Sequence, residues 1–183
     1  MGWTFYNSSG EALTNFGPVV VADIETAAFD FVQMVLPGEG IYSGAAESND
    51  GTQFAQIHFG DGENDYWDMV VRVPPLATSI SSIVVEYEAE SAGDVVLTFD
   101  TFHASLDATV AREIDTTDTA SAYTSGNSSA EVDTFAVPSA AYNGLSGIAA
   151  GDLIGMSIFR TGGSGSDSYG ATWKVHAVVF TFA

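Results

Sequence analysis

The chain has 183 residues, 46 % of them hydrophobic and 12 % aromatic, which suits one domain with a sizeable core. Charged residues make up only 15 %, with 24 acidic against 4 basic, for a formal charge of -20. Four scattered cations (Arg72, Arg112, Arg160 and Lys174) cannot neutralise a run of phosphates, which excludes nucleic acid and anionic membrane surfaces as partners. Such acidity suits a saline habitat, or a protein placed outside a nucleic-acid container. There are no cysteines, hence no disulfides or thiolate chemistry. The start, Met1 to Asn7, shows neither a basic nor an apolar secretory region, and no apolar run reaches the ~18 residues of a membrane span. Synthesis in a cytoplasm is the expectation.

In chain order, Trp3, Phe5 and Tyr6 precede a turn signal, Asn7-Ser8-Ser9-Gly10, and residues 1–17 form an aromatic leader. Its rings dock on the chain's own core or on a partner. Residues 19–24 and 27–36 read as strands, the second apolar on both faces as in a buried strand, and Pro37-Gly38 ends it. Gly38 to Gly51 reads as a polar loop. Gln53–Phe59 is a short strand, followed by an acidic turn. In Tyr66–Val73, Trp67, Met69, Val71 and Val73 share one face, and Pro74-Pro75 stops the ladder. Ile80–Glu90 points Ile83, Val85 and Tyr87 inward and Glu86 and Glu88 outward.

Gly93-Asp94 turns the chain into Val95–Phe102. Between His103 and Ile114 the spacing fits a helical turn or an edge strand equally. Asp115 to Ala130 has little apolar content and reads as an exposed loop. Val132–Val137 is a strand closed by Pro138, and Leu145–Ala150 is a connector. A Gly151-Asp152 turn then opens a closing pair of strands. In the last, Trp173, Val175, Ala177 and Val179 share a face opposite Thr172, Lys174 and His176, and from Val178 the second face becomes apolar too. A strand of that kind crosses the middle of a sheet or enters an interface. About nine or ten strands with frequent turns, and no convincing long helix, predict an all-β antiparallel sandwich or barrel over residues 18–183.

The closing segment, Ile148 to Arg160, then Asp167-Ser168-Tyr169-Gly170 and the final alternating strand, resembles the end of jelly-roll domains in bacteriophage virion proteins. These are capsid-decorating (cement) and tail- or head-fibre modules. Tyr66–Pro75 with Ile80–Tyr87 is similar to the opening strands of that domain, and Gly2 to Gly10 to the leaders of phage appendage proteins. The resemblance implies a jelly-roll-like sandwich in a virion, acting by self-association, as a homotrimer, and by binding a major capsid or tail protein. The chain lacks the coiled-coil or repeat segments of long fibres, which favours decoration over a fibre.

Chemistry is sparse. His58, His103 and His176 lie far apart and in no metal spacing, and there is no nucleophile elbow, P-loop or dinucleotide fingerprint. Paired carboxylates are everywhere in a chain with 24 acids and so carry no information. The expectation is a protein that is not an enzyme and needs no cofactor. One exception is Asp61, Glu63 and Asp65, whose alternating oxygens in a Gly-containing turn suit calcium. Arg160, ending an apolar strand, is expected to form a partly buried ion pair with a carboxylate. Lys174 and His176, on the polar face of the last strand, join Trp3, Phe5 and Tyr6 as interface candidates. Tyr66 and Tyr169 are the candidates for stacking on a sugar, under the alternative reading of a carbohydrate- or receptor-binding module of a tail appendage that contacts a host surface glycan.

Overall fold

The computed structural model describes residues 31–37, 39–43, 46–48, 55–62, 64–88, 90–105, 113–125, 132–143, 145 and 147–183. The aromatic leader, the strand expected at 19–24 and residue Glu63 lie outside them. Eleven strands are described: β1 (Phe31–Val35), β2 (Ile41–Ser43), β3 (Ala46–Ser48), β4 (Gln56–Phe59), β5 (Asn64–Arg72), β6 (Ile80–Glu88), β7 (Gly93–Ala104), β8 (Glu113–Ser125), β9 (Val132–Ala136), β10 (Leu153–Thr161) and β11 (Trp173–Phe182). Among the described residues one 3-10 turn, Ser139–Ala141, follows Pro138. No helix among the described residues is long and apolar enough to cross a membrane.

The strands form two antiparallel sheets. One runs β3-β4-β11-β6-β9, with β1 also paired to β11, and the other runs β2-β5-β10-β7-β8. Numbered in order, β4 to β11 switch sheets at every step except between β7 and β8, which pair as a hairpin, and this is the order of the eight-stranded jelly roll. β1, β2 and β3 are additions to its edges. The core lies between the sheets and holds Ile57, Phe59, Trp67, Met69, Ile83, Val85, Phe99, Ile154, Ile158, Val175, Phe180 and Phe182, all at 2 % exposure or less. Strict alternation explains most of this. In β5 Asp65, Trp67, Met69 and Val71 are buried while Asn64, Asp68, Val70 and Arg72 are exposed.

Several sequence expectations are corrected. The polar stretch Gly38 to Gly51 contains β2 and β3. β2 can approach β5 because residue 40 is glycine: a Cβ there would lie 2.3 Å from both the Trp67 Nε1 and the Asp68 carbonyl oxygen. Asp115 to Ala130 is no exposed loop in its first eleven residues, since Glu113–Ser125 is a thirteen-residue strand laddered on β7. An edge strand needs backbone partners more than apolar side chains, and threonine favours the extended conformation. β1 is not buried on both faces, since Val32 is 61 % and Met34 51 % exposed.

The last strand carries the most instructive correction. Its pairing with β6 shifts register between Val175 and Ala177, and the irregularity places an extra residue at His176. Val178, Phe180 and Phe182 thereby join Trp173 and Val175 in the core. Two apparently apolar faces are one apolar face whose phase flips at a bulge. The strand's middle-of-sheet position is as read, between β4 and β1 on one side and β6 on the other.

Candidate functional site

At one end of the sandwich the Gly151-Asp152 turn forms as expected. Gly151 has φ 91, a conformation that glycine adopts without strain. The Asp152 carboxylate accepts from the Ala149 amide at 2.9 Å and meets His103 Nε2 at 2.9 Å.

At the other end Arg160 is fully buried and uses all five of its N–H donors. Nε and Nη2 donate to the two oxygens of Asp167 at 3.1 and 3.0 Å. Nη1 donates to the carbonyls of Phe59 and Ala171, both at 3.0 Å, and Nη2 to that of Tyr169 at 2.6 Å. The guanidinium also lies over the Tyr169 ring, 5.5 Å from its centroid. The Asp167 side chain is 1 % exposed, so the pair is enclosed. Tyr169 is not the exposed sugar platform expected of a loop tyrosine. It is 0 % exposed, and its hydroxyl accepts from the Glu90 amide at 2.7 Å, since the Arg160 network draws the loop inward. This is a structural lock.

The acidic turn does not assemble as three converging ligands. Asp65 points into the core at 1 % exposure and caps the Gly60 amide, while the exposed Asp61 side chain lies 3.8 Å from Arg160. Among the described residues no group of three His, Asp or Glu side chains is placed to hold a metal ion.

The outer face of the β4-β11-β6 sheet brings together what the sequence separates. Glu88, expected to be exposed, is 6 % exposed and forms a hub. It accepts from Gln56 Nε2 at 3.2 Å and pairs with Lys174 Nζ at 3.3 Å, with His176 Nε2 3.5 Å away. His58 Nε2 is 3.0 Å from the Gln56 Oε1. Lys174 also pairs with Glu90, a hydrogen bond that, with the help of Glu88 and against some burial, holds its ammonium above the ordinary lysine pKa. His176 is buried at 9 % exposure, with no hydrogen-bond partner on Nδ1. A possible signal was the i, i+2 spacing of Gln56/His58, Glu86/Glu88 and Lys174/His176, which puts polar pairs on one face of three strands.

Further along the same face the charge disappears. Cross-strand register aligns Met34, Val179, Val84 and Ala136 in one row across β1, β11, β6 and β9. The next row is Val32, Thr181 and Ser82. Seven neighbouring positions hold no charge, in a chain with 24 acids.

The outer face of the opposite sheet is banded. Tyr66 and Phe159 pair across β5 and β10; Asp68, Ser157 and Asp100 form the next row across β5, β10 and β7; Val70, Gly155 and Phe102 form the one after. A trough of about 610 Å³ opens over the last of these rows, with Asp68 and Glu39 among its lining.

The comparisons bear on the fold alone. No family model matches the chain, and a search of curated proteins found no match. The structure is similar to a family 35 carbohydrate-binding module from Clostridium thermocellum, with a TM-score of 0.54 at 10 % identity, over 82 % of this chain and 97 % of that one. The structures of infectious bursal disease virus, Gx and Gt strains, align at a TM-score of 0.38, with 10 % and 13 % identity, over 85 % and 84 % of this chain and about a third of theirs.

Proposed function

We propose that the chain is a non-enzymatic structural module of a bacteriophage particle, which associates with copies of itself and sits on a larger capsid or tail protein as a decorating component. The observation that carries this reading is the charge-free outer face around Met34, Val179, Val84 and Ala136. Val32 and Met34 are 61 % and 51 % exposed there. Copies that each carry a charge of -20 repel one another wherever their acids meet. A face that leaves acids out is the one on which a second copy can seat. Specific interfaces bury on the order of 1,600 Å² in total, and the two rows with their flanks supply the apolar centre that such contacts use. The resemblance of the closing segment to phage jelly-roll modules supports the virion setting.

The test is the native mass of the protein at micromolar concentration, followed by cosedimentation with phage particles. A trimer is expected for the parent chain and a monomer for Met34→Glu, whose side chain is exposed and whose fold is kept. A monomeric parent, or an oligomer indifferent to Met34→Glu, overturns the reading.

A further inference from the structure

A second surface, on the sheet opposite the charge-free face, has a different chemistry. We infer that the outer face of β5, β10 and β7 is a binding site for an uncharged glycan chain, a role independent of self-association. The argument starts from side-chain direction. In β10 the inward residues are Ile154, Met156, Ile158 and Arg160, which leaves Leu153, Gly155, Ser157 and Phe159 facing out. Successive outward rows are therefore ~7 Å apart along the strands, and neighbours within a row ~5 Å.

The rows alternate in kind. An aromatic row (Tyr66, Phe159) is followed by a hydrogen-bonding row (Asp68, Ser157, Asp100), then by a row whose wall is Phe102 and whose floor is Gly155. Gly155 makes the trough: a Cβ there would lie 3.3 Å from Phe102 Cδ2 and 3.7 Å from the Met69 carbonyl oxygen, filling the space above the floor. The opening of about 610 Å³ is of the size that small ligands occupy. A sugar ring presents an apolar C–H face and a rim of hydroxyls. The first matches Phe102 over Gly155, the second matches carboxylates that accept from O–H donors, and the aromatic row on the far side of those carboxylates offers a place for the next ring.

Charge narrows the class. The carboxylates that line the trough, Asp68 and Glu39, are both exposed, and His103, which also lines it, is held by the Asp152 carboxylate at 2.9 Å. Arg72, in the row beyond, donates to the Gly151 carbonyl at 2.8 Å. A uronate, sialylated or sulfated chain would meet repulsion.

The experiment is binding of the full chain to an array of uncharged glucan, mannan, xylan and galactan oligosaccharides, with acidic oligosaccharides and lysine-rich peptides printed alongside. The expected result is saturable binding to an uncharged class only, weakened about ten-fold or more by Asp68→Ala and abolished by Phe102→Ala. Asp68 is exposed, so its variant folds whatever becomes of Phe102→Ala. Gly155→Ala is the third arm and should weaken binding by filling the trough. Binding of acidic glycans, preference for the cationic peptides, indifference to Asp68→Ala and Gly155→Ala, or no binding to any uncharged glycan each overturns the inference. None of these outcomes depends on the oligomeric state, so failure here leaves the assembly reading standing.

Discussion

Arg160 shows how one residue can close one end of a sandwich. Burying a guanidinium is costly unless every donor is matched, and here the five N–H groups meet the Asp167 carboxylate and three carbonyls. Removing one partner should therefore be worse than removing a surface pair. Asp167→Asn or Arg160→Met is expected to cost about 3–5 kcal/mol, read as a lowered urea midpoint. A loss below about 1 kcal/mol would mean that the network is decorative. Lys174 offers a second residue-scale test, because it is the only lysine in the chain. Its pKa is raised in the folded protein, chiefly by the hydrogen bond to Glu90. The stabilisation is then fully present below the unfolded lysine value of about 10.4 and is lost as pH rises through the folded value. Parent and Lys174→Met should differ in stability at pH 8 and converge as pH rises through the raised folded value, in pH-dependent urea melts.

Residue type alone announced some of this. An arginine ending an apolar strand pointed to a partly buried ion pair with some carboxylate; the structure supplies Asp167 as the partner, 3.0 Å away, and encloses the pair fully. The inward turn of Tyr169 was not legible, because loop composition says nothing about a carbonyl that an arginine will capture. The Glu88 hub was equally hidden. Gln56, Glu88 and His176 lie on three strands whose adjacency depends on sheet order, which no local spacing encodes.

At the scale of elements, β11 and β8 show where periodicity informs and where it misleads. Trp173 and Val175 obey a period of two, and so do Val178, Phe180 and Phe182, but the two sets are out of phase by one residue. Reading through the bulge as if the strand were regular put Ala177 and Val179 on the wrong face. The extra residue at His176 is what lets both halves pack inward. Deleting it brings the two sets into one phase and removes the bulge, so Val178, Phe180 and Phe182 should stay inward and the cooperative thermal transition should survive; its loss would show that the bulge itself is required. Replacing His176 by threonine, which keeps the residue count, should leave that transition in place. β8 misled in the opposite way, since its backbone ladder with β7 forms without an apolar alternation in its sequence.

Across the whole molecule, the dominant fact is the excess of acids. Twenty-four carboxylates on a chain of this size repel one another, and the network at Arg160 offsets only a local part of that. Raising salt from about 0.01 M to 1 M shortens the screening length from ~30 Å to ~3 Å. The urea midpoint should rise over that range, and self-association, if it uses the charge-free face, should strengthen with it. A midpoint that falls with salt would show that surface ion pairs outweigh repulsion. The two outer faces divide the labour on this view, one with a charge-free stretch around Met34 and Val179 suited to copies of the chain, the other banded and suited to a ligand.

The position of β11 has a further consequence for how such a chain comes into being. It is the last strand in sequence yet lies inside its sheet, between β4 and β6. Ribosomes release β4 and β6 more than eighty residues before the segment that joins them. Until then their hydrophobic edges wait unmatched, and closure demands long-range pairing of the slow kind. A polypeptide interrupted before Trp173 would have every strand of the opposite sheet yet leave β4 and β6 unjoined, a substrate for proteases and aggregation.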